Sequence, residues 1–161
     1  MKHDLKSQFN ALALRWNKFW FESNEPERVK VYRFFFGLIL FGFYSLRTFD
    51  FGMFYYNDGL MPLSAIPEIF PMQWRWSIFF HLTTPIYLWV GHFVFLASLL
   101  LFAFGIKPRL FAIIAFVLQL SFMNRNLAII YGADFVAIYY LFYLCFADTS
   151  RKNSIIGSIA Y

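Results

Sequence analysis

The chain has 161 residues, of which 60% are hydrophobic, 24% aromatic and only 14% charged, with a formal net charge of +5. Ordinary soluble domains carry about 25% charged residues, so this composition speaks against a water-soluble globule, which would lack the polar surface to cover so much apolar material. The single cysteine, Cys145, excludes a disulfide within the chain and a cysteine-rich metal site.

The basic surplus does not imply a nucleic-acid partner. The lysines and arginines flank apolar runs instead of gathering in one patch interleaved with stacking aromatics. The run from Trp76 to Ile106 holds no Asp, Glu, Lys or Arg over 31 residues, and about 20 apolar residues suffice to cross a bilayer. The sequence therefore predicts an all-α integral membrane bundle of about four transmembrane helices, preceded by an interfacial helix.

Residues 1–22 open the chain. In LKSQFNALALRWNKFW the apolar residues Leu5, Phe9, Leu12, Trp16 and Phe19 recur at helical spacing, with Lys6, Gln8, Arg15 and Lys18 between them. This pattern suits an amphipathic helix lying on an anionic membrane surface; packing against a protein surface would show the same periodicity. No cleavable signal peptide is read from MKHDLKSQFN, which lacks an apolar core.

The membrane domain is expected over 23–150. Ser23 or Asn24 can cap its first span, about 29–46, and Pro26 fits the first helical turn. Arg33 near one end can snorkel to the interface, and Arg47 closes the other. Residues 48–84 form a long loop with Asp58-Gly59 and prolines 62, 67 and 71 as turn signals and Trp74 and Trp76 as interface anchors. A structureless loop of this length is uncommon, so short helices are expected near 63–70 and 74–82.

The second span, about 85–104, has Thr84 as its cap, Pro85 in its first turn and Gly105 at its end. Lys107-Pro108-Arg109 turns the chain into a third span, about 110–123, and a shorter fourth follows at about 133–147. Residues 151–161 form a polar tail. Eleven lysines and arginines then lie on the side of the termini, against Arg47, Arg75 and Arg125 on the other. By the positive-inside rule both termini are cytoplasmic and the 48–84 loop is external, most simply in a bacterial inner membrane.

The candidate polar site is Asn124, Arg125, Asn126 and Asp134, within SFMNRNLAIIYGAD. In one reading these residues are structural: Asn124 ends a helix in the left-handed conformation, Arg125 reaches lipid phosphates and Asp134 caps the next helix. In the other, Arg125 pairs with Asp134 and the asparagines supply hydrogen bonds, holding a polar pocket under the long loop; ionisable groups at membrane depth suggest function by default. His92, in the second span, could contact a quinone or move a proton, or could serve as an interhelical hydrogen-bonding group, as could Gln119. Three helical turns separate His92 from His81, which argues against haem held by that pair. No glycine-rich phosphate loop, nucleophile elbow, HExxH or CxxC pattern occurs, and no metal site is expected.

RVKVYRFFFGLIL followed by FYYNDGLMP, two linked spans and SFMNRNLAIIYGADFVAIYYLFYLCFADTS resembles the HTTM family, the membrane domain shared with the vitamin K-dependent gamma-carboxylase. The resemblance runs from about Glu27 to Ser150, over what looks like the first half of that domain, and is most specific in Arg125-Asn126, Gly132 and Asp134. It implies a site reached from the external face; the carboxylase itself oxidises a reduced quinone and uses the resulting strong base to carboxylate glutamate. Its catalytic lysine lies beyond the fourth span, where this chain has only Lys152 in a stretch that matches no family motif, so carboxylase activity is not carried over. Two functions are expected to compete: an accessory or structural subunit bound to lipid and to other membrane subunits, or a quinone-binding, carboxylase-like part whose catalytic half lies elsewhere. A transporter half would need broken helices or an inverted repeat, and neither is evident.

Overall fold

A computed structural model describes residues 26–69 and 75–146. The surface helix expected at 1–22, the caps Ser23 and Asn24, Trp74 and the tail with Lys152 lie outside the described residues. Among the described residues the fold is all-helical. Four long helices dominate: α1 (Pro26–Leu46), α4 (Pro85–Phe104), α5 (Pro108–Arg125) and α6 (Gly132–Phe146). Between α1 and α4 the loop carries α2 (Phe51–Tyr55), α3 (Ile66–Ile69) and a 3-10 turn, Ile78–Phe80. Two helices, α1 from Val29 and α4, are long and apolar enough to cross a membrane.

Local chemistry sets the ends of α4 where expected. Thr84 occupies the cap position in extended conformation with Pro85 following, although its hydroxyl makes no capping bond. At the other end Gly105 takes φ +79°. Gly105 N–H then donates to Phe102 O and Ile106 N–H to Leu101 O, which closes the helix by satisfying carbonyls that its last turn leaves open. The Arg33 guanidinium lies against Gly105 in the space a Cβ would occupy. Arg33 is therefore buried, 2% exposed, where an interfacial side chain was expected.

Packing follows chain order: α1 lies on α4, α4 on α5 and α5 on α6. A Cβ on Gly37 of α1 would come within 2.7 Å of the Ala103 Cβ on α4; glycine opposite alanine lets the two helices approach closely, the small-residue packing favoured between apolar helices. The main core joins Leu40 and Tyr44 of α1, Leu88, Phe95 and Leu99 of α4, Leu118 and Phe122 of α5 and Leu141 of α6. Tyr140 of α6 closes the circuit by touching Tyr32 and Phe36 of α1.

Two expected boundaries shift. The third span starts at Pro108 and runs through Arg125, so Asn124 does not end it; Asn126 does, with φ −142° rather than a left-handed turn. In the loop, the expected 63–70 and 74–82 helices are shorter, with residues 70–74 outside the described set. The α2 turn was not foreseen. Its residues, FGMFY, carry no strong helix signal, and its order comes from burying Phe51 and Tyr55 against Phe122.

Candidate functional site

Asp134 sits in the first turn of α6 and is fully buried. Its Oδ2 accepts the Tyr131 backbone N–H at 2.9 Å. That is the reach-back bond by which an acidic residue in the third helical position closes a helix start. The same carboxylate is also the anion of an ion pair, with Arg47 as its partner: Arg47 donates to Oδ2 at 2.8 Å and to Oδ1 at 3.0 Å. The expected pairing of Asp134 with Arg125 is thus not formed.

Two further groups complete the cluster. Tyr44, one turn before Arg47 on α1, donates its hydroxyl to Asp134 Oδ1 at 2.7 Å. Gln119 of α5 donates its amide to the Tyr44 oxygen by a short bond and to Asp134 Oδ1 at 3.3 Å. Gln119 is therefore an interhelical hydrogen-bond donor, the role considered for it. The Arg47 guanidinium lies 5.1 Å from the Tyr44 ring centroid and 5.4 Å from that of Phe43, so its charge sits over two aromatic rings while its Nη2 meets the carboxylate.

Arg125 points the other way. It donates to Met61 O at 3.1 Å and to Asn57 Oδ1 at 3.0 Å, both in the loop, and is 1% exposed. It does not reach outward to phosphates. Its neighbours act in the same sense: Asn124 donates to Trp76 O at 2.7 Å, and Asn126 donates to Phe54 O while its own oxygen accepts the Ala128 N–H at 3.0 Å. Three consecutive side chains at the end of α5 thus hold three loop carbonyls. Ser121 extends the row, accepting from Ile78 N–H at 3.4 Å while its carbonyl accepts the Ser77 hydroxyl at 2.8 Å.

His92 is separate from Asp134 but lies beneath the same loop. Its Nε2 is 2.9 Å from the Thr48 hydroxyl. Phe51 and Phe122 flank the ring, with centroids 4.6 and 6.0 Å away. His81 is exposed at the end of the 3-10 turn. Among the described residues no group of three histidine, cysteine or acidic side chains gathers to hold a metal.

Between these groups lies a cavity of about 10 Å³ bordered by Tyr44, Arg47, Tyr55, His92 and Gln119, room for about one water. Tyr55 of α2 stands over it, and its burial pushes the phenol above its ordinary pKa while the neighbouring Arg47 pulls it down. A larger apolar groove of about 510 Å³ opens on the outer side of α5 and α6. The arrangement thus holds a buried charge pair, closes a loop over it and leaves little internal space.

Sequence reasoning singled out Asp134 and His92 but missed Arg47 and Tyr44 as partners. A signal was present: Arg47 is one of three basic residues assigned to the loop side, where Asp134 was also placed. Comparison with protein-family models, with curated proteins and with solved structures finds no match to this chain.

Proposed function

We propose that this protein is a four-crossing membrane bundle with both termini cytoplasmic, in a bacterial inner membrane. It serves as a structural subunit of a larger membrane assembly and carries an HTTM-like first half. The observation that carries the structural role is the self-sufficiency of the polar centre: both Asp134 oxygens are taken up by Tyr44, Arg47, Gln119 and Tyr131. The asparagines and Arg125 are spent on the loop, and the enclosed space holds about one water.

The membrane setting draws support from the outside of the bundle. The apolar windows of α1 and α4 are only 22% and 39% buried, whereas apolar helices in a water-soluble core would turn most of their surface inward. α5 owes its polarity to Gln119, Ser121, Asn124 and Arg125, all engaged within the protein as polar groups at membrane depth must be. Extraction in mild detergent followed by native mass spectrometry tests the assignment. We expect a complex of fixed stoichiometry containing a different subunit; a chain that emerges free of any other subunit overturns it.

A quinone-binding role is the second reading, favoured by one observation. An arginine, a carboxylate, two tyrosines and a histidine converge under one loop, and such clusters at membrane depth commonly mark function. Asp134→Asn, measured by quinone turnover in the intact assembly, separates the two: unchanged turnover removes the second reading.

A further inference from the structure

We propose that the edge of the Arg125 guanidinium facing Asn57 is a binding site for a small oxyanion of single negative charge, with the Asn57 carboxamide as its neutral stand-in. Neither functional reading above is needed for it. Arg125 is 1% exposed, yet its bonds to Met61 O and Asn57 Oδ1 go to neutral acceptors. The acidic residues of the loop, Asp50, Asp58 and Glu68, are all exposed. Among the described residues Arg47 has Asp134 as its counter-charge, and no carboxylate pairs with Arg125. A buried cation without a counter-charge is strongly unfavourable. A trapped water would satisfy a donor there but would leave the charge uncompensated.

The unmet donor shows where the anion belongs. Nη1 and Nη2 of Arg125 are bonded, whereas Nε is buried and has no hydrogen-bond partner among the described residues. In a planar guanidinium the N–H groups of Nε and Nη2 lie parallel along one edge, the arrangement that grips two oxygens of a carboxylate or phosphate together. On Arg125 that edge offers one vacant donor and one held by the Asn57 side chain. Nη1 meanwhile stays on the loop backbone.

Asn57 is suited to give way. A carboxamide has nearly the size and shape of a carboxylate but no charge. Asn57 is exposed whereas Met61 is buried, so its side chain can swing outward without unpacking the core, leaving a space of oxyanion size at the surface. The backbone around it is fixed: Gly59 N–H donates to Tyr56 O and Leu60 N–H to Met53 O. Opening the site therefore needs one side-chain rotation and no movement of a helix.

Thermal unfolding of the full chain in mild detergent, at constant pH and ionic strength, tests this, with sodium chloride replaced stepwise by sodium acetate or sodium dimethyl phosphate. A saturable rise in melting temperature is expected with at least one of the two oxyanions, and none in Arg125→Met. Acetate acting at the lower concentration assigns a carboxylate ligand; dimethyl phosphate doing so assigns a phosphodiester, as in a lipid headgroup. Asn57→Ala removes the competing amide and should tighten the response about fivefold. Asn57→Asp supplies the missing charge from the protein itself, so it should melt about 3 °C higher in chloride and lose the response to both oxyanions. If Arg125→Met does not fold, the exposed Asn57 variants decide alone. An Asn57→Asp protein that melts no higher, or that keeps the oxyanion response, overturns the inference. So does wild-type unfolding that is the same in all three salts.

Discussion

Asp134 is fully buried, and both of its carboxylate oxygens are met by specific donors. Removing one side of such a pair strands the other. Asp134→Ala should therefore cost about 3 kcal/mol, the low end for a broken buried pair, because Arg47, 13% exposed, loses its counter-charge with only limited access to solvent. Replacing both Arg47 and Asp134 with leucine should cost clearly less than the sum of the single changes. Thermal unfolding in detergent of the two single variants and the double measures this coupling. Asp134 was legible as a helix-starting and polar-site residue because its position ahead of an apolar run is local information. Its partner was not, since Arg47 lies 87 residues earlier and only packing of α1 beside α6 brings them together.

At the scale of elements, the segment from Asn124 to Asn126 is a clasp for the loop. Arg125→Met keeps the volume and removes the bonds to Met61 O and Asn57 Oδ1. Limited proteolysis from the loop side should then cut near residues 57–61 at least several-fold faster, with helicity by circular dichroism unchanged. Loss of helix along with the loop would show that the clasp holds the bundle itself. The α4 end offers a second test. Gly105→Ala must place a side chain at φ +79° and displace the Arg33 guanidinium, so it should destabilise by about 1–3 kcal/mol, read as a lower melting temperature. Proline and glycine punctuation made both ends of α4 readable in advance. The short α2 helix was invisible because burial of Phe51 and Tyr55, a tertiary effect, orders a segment with little helix propensity of its own.

For the whole molecule the asymmetry of eleven basic residues against three predicts orientation. Asp58 lies in the loop and Lys107 in the turn before α5, and both are exposed. In a Cys145→Ser background, Asp58→Cys should react with an impermeant maleimide from outside intact cells, and Lys107→Cys only after the membrane is opened. Reversal of the two would invert the bundle and place Asp134 and Arg125 at the cytoplasmic end.

By itself the sequence determined the helical character of the chain, the two longest apolar helices and the turns between α4 and α5. These depend on composition, hydropathy and residues adjacent along the chain. Only the tertiary structure decided that Asp134 answers to Arg47, that Arg125 turns toward Asn57 and Met61, and that Gln119 bridges to Tyr44. The physical reason is range: a hydrogen bond needs two groups within about 3 Å, and which of several polar residues achieve that is set by how the helices pack.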